Sequence, residues 1–90
     1  MTDREAIRRL SVNLRDCLAV SWLHFNHAAE IHAVVTRIFG TGPTAEKAEY
    51  DLMERIASRA RSYNPHEGAQ DWLLRCANLE AECLRNEATH

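Results

Sequence analysis

Three histidines within nine residues are the side chains in this sequence most suited to metal or acid–base chemistry. His24 and His27 are one helical turn apart, so both rings could reach one ion from the same face of a helix. His32 lies two turns, about 12 Å, from His24 and cannot join that ion without a second helix. The sequence has no CxxC or HExxH pattern to complete such a site. We therefore predict no metal and no cofactor.

The three cysteines, Cys17, Cys76 and Cys83, all fall at apolar helical positions, where cysteine acts as a small hydrophobic residue. Cys76 and Cys83 are about 10 Å apart along a helix, too far for a disulfide with each other. A nucleophilic cysteine would need a neighbouring histidine and an orienting third group, which the spacing does not indicate. The connector at 40–44 follows a helix and lacks the Lys-Ser/Thr of a phosphate loop. We predict reduced thiols and a protein that is not an enzyme.

The composition is that of one folded domain spanning residues 1–90, in which 46% of residues are hydrophobic and 27% are charged. A net charge of −2 gives no general attraction to nucleic acid or anionic lipid. No apolar run approaches the ~18 residues of a membrane span, and residues 1–4 do not begin a secretory signal. We expect a cytoplasmic protein with no membrane partner.

Helices must position these side chains, because the apolar residues recur at spacings of three and four and no strand pattern is present. Thr2 and Glu5 form a capping box, and Gly40 is the first residue suited to end the helix that follows. Since neither Gly nor Pro occurs between them, we predict one helix over residues 3–39, about 55 Å long. A bend within 21–26 is left open.

Two shorter helices are predicted over residues 45–63 and 66–86, separated by Asn64 and Pro65. The start of the last helix is open between Pro65 and a position past Gly68. The predicted fold is all-α, with the long N-terminal helix covered by a helical hairpin in a three-helix bundle. At about 27 and 33 Å, the two later helices are too short to cover the first one.

The segment from Cys17 to Phe39 is apolar on more than one face, so two layers must cover it. One stripe of this segment, counted at about 100° per residue, consists of Leu14, Cys17, Leu18, Ser21, Phe25, Ala28, His32, Val35 and Phe39. A second set is expected to form the seam of a homodimer: Val20, Leu23, His27, Ile31, Val34 and Ile38. The alternative is that the N-terminal helix folds back and covers this second set itself.

The helical wheel places Trp22 on a polar side together with Arg15, Asn26 and Arg37. Because Trp and Arg are enriched at the energetic centres of interfaces, we predict that these four residues bind a protein partner. Burial of Trp22 under the last helix is the alternative. Glu80 lies between apolar positions of the last helix, where an unpaired charge is costly, so we predict a buried ion pair with Arg59 or, second, with a histidine.

By elimination, we expect a small interaction protein that acts as an adaptor, regulator or inhibitor, a phage-type inhibitor of a host system such as CRISPR being one form. The first alternative is a metal- or ligand-responsive sensor that uses His24, His27 and a cysteine. The second is a nucleic-acid-associated regulator that uses the arginines of the first helix: Arg4, Arg8, Arg9 and Arg15. Nucleic acid is not the expected partner, because no recognition-helix pattern accompanies these arginines.

Overall fold

A computed structural model describes residues 1–88 of the protein. These residues are all-helical and contain no strand, which confirms the predicted fold class. None of the described helices combines the length and the apolar character needed to cross a lipid bilayer. The helices are α1 (Asp3–Val12), α2 (Cys17–Asn26), α3 (Ala28–Phe39), α4 (Pro43–Ser58) and α5 (Ala69–Ala88), with a 3-10 turn at Ala60–Ser62.

The predicted continuous helix over 3–39 is wrong, because the chain leaves the helical conformation after Val12. Asn13 is extended, and the side chain of Asp16 begins α2 by accepting a hydrogen bond from the Ala19 amide at 3.1 Å. The guanidinium of Arg9 donates to the same carboxylate, with Nε 2.8 Å from Oδ2. Asp16 therefore caps α2 and also ties it to α1, which makes the break a fixed corner.

A second, milder break falls at His27, just beyond the bend that the sequence left open. Its backbone φ of −123° and ψ of 22° are not helical. The hydrogen bonds on either side are nevertheless kept: the His27 amide donates to the Leu23 carbonyl and the Ile31 amide donates to the His27 carbonyl, each at 3.0 Å. The His27 ring lies 2.9 Å from Oδ1 of Asp3 at the start of α1. This contact joins the α2–α3 kink to the beginning of the chain.

The remaining ends follow capping rules that the sequence displays. The Thr2 hydroxyl accepts from the Glu5 amide at 3.2 Å, and Gly40 ends α3 with a φ of 77° that favours glycine. α4 begins at Pro43 and is shorter than predicted, ending at Ser58 before the 3-10 turn. α5 begins at Ala69, the later of the two starts left open by the sequence.

The core lies where α3, α4 and α5 pack against one another, with α1 packed on α4, α5 and the 3-10 turn. Tyr63 and Trp72 meet edge to face there, with ring centroids 5.7 Å apart. The largest fully buried side chains are Ile7, Leu23, Ile31, Val35, Leu52, Ile56, Trp72 and Leu73.

The six residues expected at a dimer seam lie inside this fold. Leu23 and Ile31 are fully buried, Val34 and His27 are buried, and Val20 and Ile38 pack partly against the core. α1 packs on α2, whereas α3 packs on α4 and α5. The seam residues of α2 therefore lie beside α1 and those of α3 lie against α4 and α5, so fold-back of the N-terminal segment accounts for only part of this cover.

Candidate partner-binding surface

α2 is the helix that contributes least to the core. It packs on α1, α3 and α4, but its only fully enclosed side chains are Ala19 and Leu23. The sequence has no Asp, Glu, Lys or Arg from Cys17 to Ala29, so the outward side of α2 carries few polar groups. Three neighbouring helices cover part of α2, and the apolar side chains that they leave exposed include Leu18 and Phe25.

The exposed side of α2 carries an apolar stripe, which we define as Leu18, Ser21 and Phe25. Their spacing of three and four residues places them along one face of α2, while Leu14 is exposed in the turn that precedes the helix. Phe25 is 84% exposed and Leu18 60%, although both belong to a stripe that was expected to be covered. Of the residues in that predicted stripe, Val35 is buried, Phe39 is half-buried and the others are exposed. The break before Asp16 and the kink at His27 rotate α2 relative to its neighbours. A helical wheel drawn as one continuous helix over 17–39 therefore assigns the residues of α2 to the wrong face.

A groove of about 870 Å³ runs between α2 and α4 beside the apolar stripe. Its floor includes Met53 and Ala57, which are buried, and its far wall includes Tyr50, which is 73% exposed. Arg15 and Glu54 also line the groove, so charged groups of both signs border an apolar centre. The volume lies within the range of sites that bind organic groups or side chains of a partner.

A carboxylate flanked by two histidines connects α2, α3 and α4 at the far end of this surface. The Oε2 atom of Glu49 is 2.7 Å from Nε2 of His24, and its Oε1 atom is 3.2 Å from Nδ1 of His32. Both oxygens of Glu49 are therefore engaged. A second cavity of about 450 Å³ opens here and includes Glu46 in its lining. The cluster fixes α2 against α4 at the C-terminal end of α2.

The histidines and cysteines of the sensor hypothesis are not brought together. His24 contacts α4, whereas His27 contacts Asp3 at the start of α1. Cys76 is buried in α5, and Cys17 and Cys83 are exposed on different helices. Across residues 1–88, no group of three or more His, Cys, Asp or Glu could hold a metal ion.

The residues predicted to bind a partner are divided among three places. Arg15 lines the α2–α4 groove, while Trp22 is half-buried against the core. The Asn26 amide donates to the Trp22 carbonyl at 2.8 Å, so these two remain neighbours. Arg37 points to α5, where it donates to Oδ1 of Asn78 at 2.5 Å. Of the four, Arg15 is the one that borders the apolar groove.

The arginines near the N-terminus are also divided. Arg9 is held by Asp16, and Arg15 faces the groove beside α4. Arg4 and Arg8 border a separate groove of about 380 Å³, whose lining also includes Arg61. This arrangement does not form the single basic face that the nucleic-acid hypothesis requires.

Glu80 is 6% exposed and lies between two guanidinium groups of α4. The Nε atom of Arg59 donates to its Oε1 atom, as the sequence predicts, and Nη1 of Arg55 lies 3.5 Å from its Oε2 atom. The hydrogen bond to Glu80 raises the pKa of Arg59, so this side chain stays charged. Burial raises the pKa of the nearby Cys76 thiol, which favours its protonated form. The cluster joins α4 to α5.

Sequence reasoning missed the apolar stripe and Tyr50 as site residues. A signal was available in Asn13 and Asp16, which are residues typical of turns and helix caps and which stand directly before the uncharged run. A helix end at that point removes the assumption that Leu14 and Leu18 share a continuous face with α3.

Fold and surface together define an all-helical protein with an apolar stripe beside an open groove. Comparison with known proteins gives no match, whether to a family model, to a curated protein or to a solved structure.

Proposed function

We propose that this protein is a small non-enzymatic interaction protein, an adaptor, regulator or inhibitor that binds a protein partner through the apolar stripe and the α2–α4 groove. One observation carries the proposal: Leu14, Leu18, Phe25 and Tyr50 are all more than half exposed, Leu18 and Phe25 on one face of α2 and Leu14 and Tyr50 in the lining of the α2–α4 groove. Monomeric soluble proteins rarely expose contiguous apolar patches of this kind unless they bind something.

The shape of the surface favours a helical partner. A groove between two helices accepts an amphipathic helix that inserts apolar side chains at spacings of three and four residues. Each large apolar side chain that becomes fully buried contributes about 1.5–3 kcal/mol. Four such residues can supply the roughly 8 kcal/mol of a micromolar complex only if little conformational freedom is lost on binding. The contacts of Asp16 and Glu49, which hold α2 in place before a partner binds, lower this ordering cost.

A homodimer is part of this proposal, through the exposed side of α2 and not through the buried seam residues. Inhibition of a host system such as CRISPR is one form that binding could take, since occupying a surface requires no catalytic group. The two alternative functions have less support, because the residues that each requires are dispersed.

The test is binding by a variant with two substitutions in the apolar stripe, Leu18→Ser and Phe25→Ser. The partner is captured from an extract of the source organism, identified, purified and titrated against native and variant chains. We expect the variant to bind at least tenfold more weakly, with its helical content unchanged by circular dichroism. Leu79→Ser is the matched control, because Leu79 is 51% exposed but lies on α5. Equal binding by native and stripe variant would reject the proposal.

A further inference from the structure

We propose that the groove between α1 and the 3-10 turn binds a phosphate monoester that is carried on an apolar body. We call it the basic groove, and its principal lining residues are Arg4, Glu5, Ile7, Arg8, Arg61 and Tyr63. It shares no lining residue with the α2–α4 groove. The inference therefore goes beyond the proposed function and does not rest on it.

The fold brings three guanidinium groups to the basic groove from two elements. Arg4 and Arg8 are four residues apart, so they lie on one face of α1. Arg61 belongs to the 3-10 turn, which packs on α1, and its Nε atom donates to the Ser11 carbonyl at 3.0 Å. This hydrogen bond holds Arg61 against the last turn of α1. It leaves both Nη atoms of Arg61 available to a ligand.

None of these three arginines has a carboxylate partner within residues 1–88. Five of the ten arginines in the chain do form ion pairs there: Arg9, Arg55, Arg59, Arg75 and Arg85. Arg37 donates to the side-chain oxygen of Asn78 instead. Of the four that remain, Arg15 lines the α2–α4 groove and the other three line the basic groove. Positive charge without an internal counterion is therefore concentrated in one place.

The basic groove is positive although the chain as a whole is negative. Three arginines and one glutamate, Glu5, give its lining a formal charge of +2, whereas the whole chain carries −2. Like charges one turn apart on a helix repel each other, and Arg61 adds a third from the neighbouring element. An anion bound among the three guanidinium groups relieves this repulsion. The lining thus favours a ligand with about two negative charges.

A phosphate monoester matches both the charge and the donors of the basic groove. At neutral pH it carries a charge of about −1.5 to −2 on three acceptor oxygens, and the fork of a guanidinium group fits phosphate geometry. A carboxylate carries a single charge and is satisfied by one bidentate arginine, so the other guanidinium groups would stay unpaired. A nucleic-acid strand spreads single charges along its length and requires a longer basic track.

The floor of the basic groove favours an apolar body attached to the phosphate. Ile7 and Ala60 are buried and both line the groove. Tyr63 forms part of the wall, and its ring is held in place by the edge-to-face contact with Trp72 and by a hydrogen bond from its hydroxyl to the Glu67 carbonyl at 3.1 Å. The volume of about 380 Å³ lies within the range of small-molecule sites and exceeds the space that a phosphate group fills. A ring attached to the phosphate can therefore lie on Ile7 and Ala60.

The experiment titrates phenyl phosphate into isotope-labelled protein at constant ionic strength and follows NMR chemical-shift changes. We expect saturable shifts at the amides of α1 and of residues 60–63. Arg4→Gln and Arg8→Gln each remove a guanidinium group that makes no contact of its own within residues 1–88. Each variant should keep its helical content by circular dichroism and bind phenyl phosphate about tenfold more weakly. Glu5→Gln removes the negative charge and should tighten binding by up to about fivefold.

Controls separate the basic groove from a general effect of charge. Arg85→Gln removes the same charge from α5, where Arg85 pairs with Glu82, and should bind phenyl phosphate as the native chain does. Benzoate keeps the ring with one charge, and inorganic phosphate keeps the charge without the ring, so each should bind about tenfold more weakly than phenyl phosphate. The inference is overturned by the absence of saturable shifts, by equal binding of benzoate or inorganic phosphate, or by an equal loss in Arg85→Gln. Binding of a single-stranded oligonucleotide at lower concentration than phenyl phosphate also overturns it.

A short peptide with phosphotyrosine distinguishes two sources of the ligand, because it carries the same aryl phosphate as the probe. Tighter binding of the peptide than of phenyl phosphate assigns the site to a phosphorylated partner chain, and equal or weaker binding assigns it to a free small molecule. The proposed function fails separately. The chain with Leu18→Ser and Phe25→Ser should bind phenyl phosphate as the native chain does, whether or not it still captures a partner.

Discussion

Leu23 and Phe25 are two residues apart on α2 and have opposite surroundings. Leu23 is fully buried against the fold, whereas Phe25 is 84% exposed. Hydrophobicity alone ranks them alike, so the difference comes from the rotation of α2, which Asp16 and Glu49 fix at its two ends. Packing within one chain therefore does not explain a phenylalanine at position 25, and the proposed binding surface supplies a reason for it.

Substitutions at these two positions should separate stability from binding. Leu23→Ala removes a buried side chain and should lower the free energy of unfolding by about 2–5 kcal/mol. Phe25→Ser should change it by no more than about 0.5 kcal/mol in dilute protein, because no core contact is lost. Urea denaturation at low micromolar concentration measures both. A large loss of stability in Phe25→Ser would mean that Phe25 packs within the chain.

Glu80 is the clearest charged residue in the core, and its position was readable from the sequence. It falls between apolar positions of α5, where a carboxylate must find a cation. Arg59 supplies one, but Arg55, which also approaches Glu80, was not identified from the sequence. The distance between α4 and α5 decides which arginines reach Glu80, and a helical wheel contains no such distance.

Removal of the Glu80 carboxylate should leave two guanidinium groups without their shared acceptor. We expect Glu80→Ala to cost about 1–3 kcal/mol in the free energy of unfolding. Glu82→Ala is the control on the same helix, since Glu82 is half-exposed and pairs only locally with Arg85; its effect should stay within about 0.5 kcal/mol. Equal denaturation midpoints for the two variants would show that the Glu80 cluster adds nothing to stability.

At the scale of elements, Thr2 and Gly40 mark helix limits by local chemistry that the sequence displays, whereas α4 begins at Pro43, before the predicted start at residue 45. The corner at Asp16 contains neither Gly nor Pro, and the regular apolar spacing continues through it, so the cap-forming residues Asn13 and Asp16 were its signal in the sequence. The ion pair between Arg9 and Asp16 then stabilises the broken helix.

The corner should weaken in acid. The Arg9 guanidinium, and next the Ala19 amide, hold the pKa of Asp16 below its ordinary value of 3.8. A carboxylate whose pKa is lower in the folded chain stabilises the fold above its unfolded pKa and loses that effect as the pH falls through the folded pKa. Asp16→Ala should therefore have a lower melting temperature than the native chain near neutral pH. The difference between the two melting temperatures should disappear below pH 3.8.

Asp16→Asn is the informative companion variant. Asn retains an acceptor for the Ala19 amide but cannot form the ion pair with Arg9. Its melting temperature should lie between those of the other two chains at neutral pH. The difference in melting temperature between Asp16→Asn and the native chain should also disappear in acid. A gap between native and Asp16→Ala that stays constant down to the lowest pH would show that the charge of Asp16 does not hold the corner.

At the scale of the whole molecule, a helix lies inside or outside according to how much of it the other helices cover. α3, α4 and α5 pack on one another, and α1 packs on α2, α4 and α5. α2 is left on the outside although it is the most apolar segment of the chain. Periodicity could predict that the 17–39 segment has too much apolar surface for one layer. It could not predict which side stays open, because a helix that is apolar all round has no preferred face.

This arrangement predicts uneven local stability that depends on concentration. α2 contributes only Ala19 and Leu23 to the core, so its amides should open at a lower free energy than those of α5, which buries Trp72 and Leu73. Hydrogen exchange of dilute protein should therefore be faster in α2 than in α5. When the concentration rises through the dimerisation range, α2 and the turn at 13–16 should become protected while exchange in α5 is unchanged. The Leu18→Glu chain serves as the control, because it cannot bury α2 and should exchange alike at both concentrations. Protection that rises equally in α2 and α5, or in neither, would contradict an interface centred on α2.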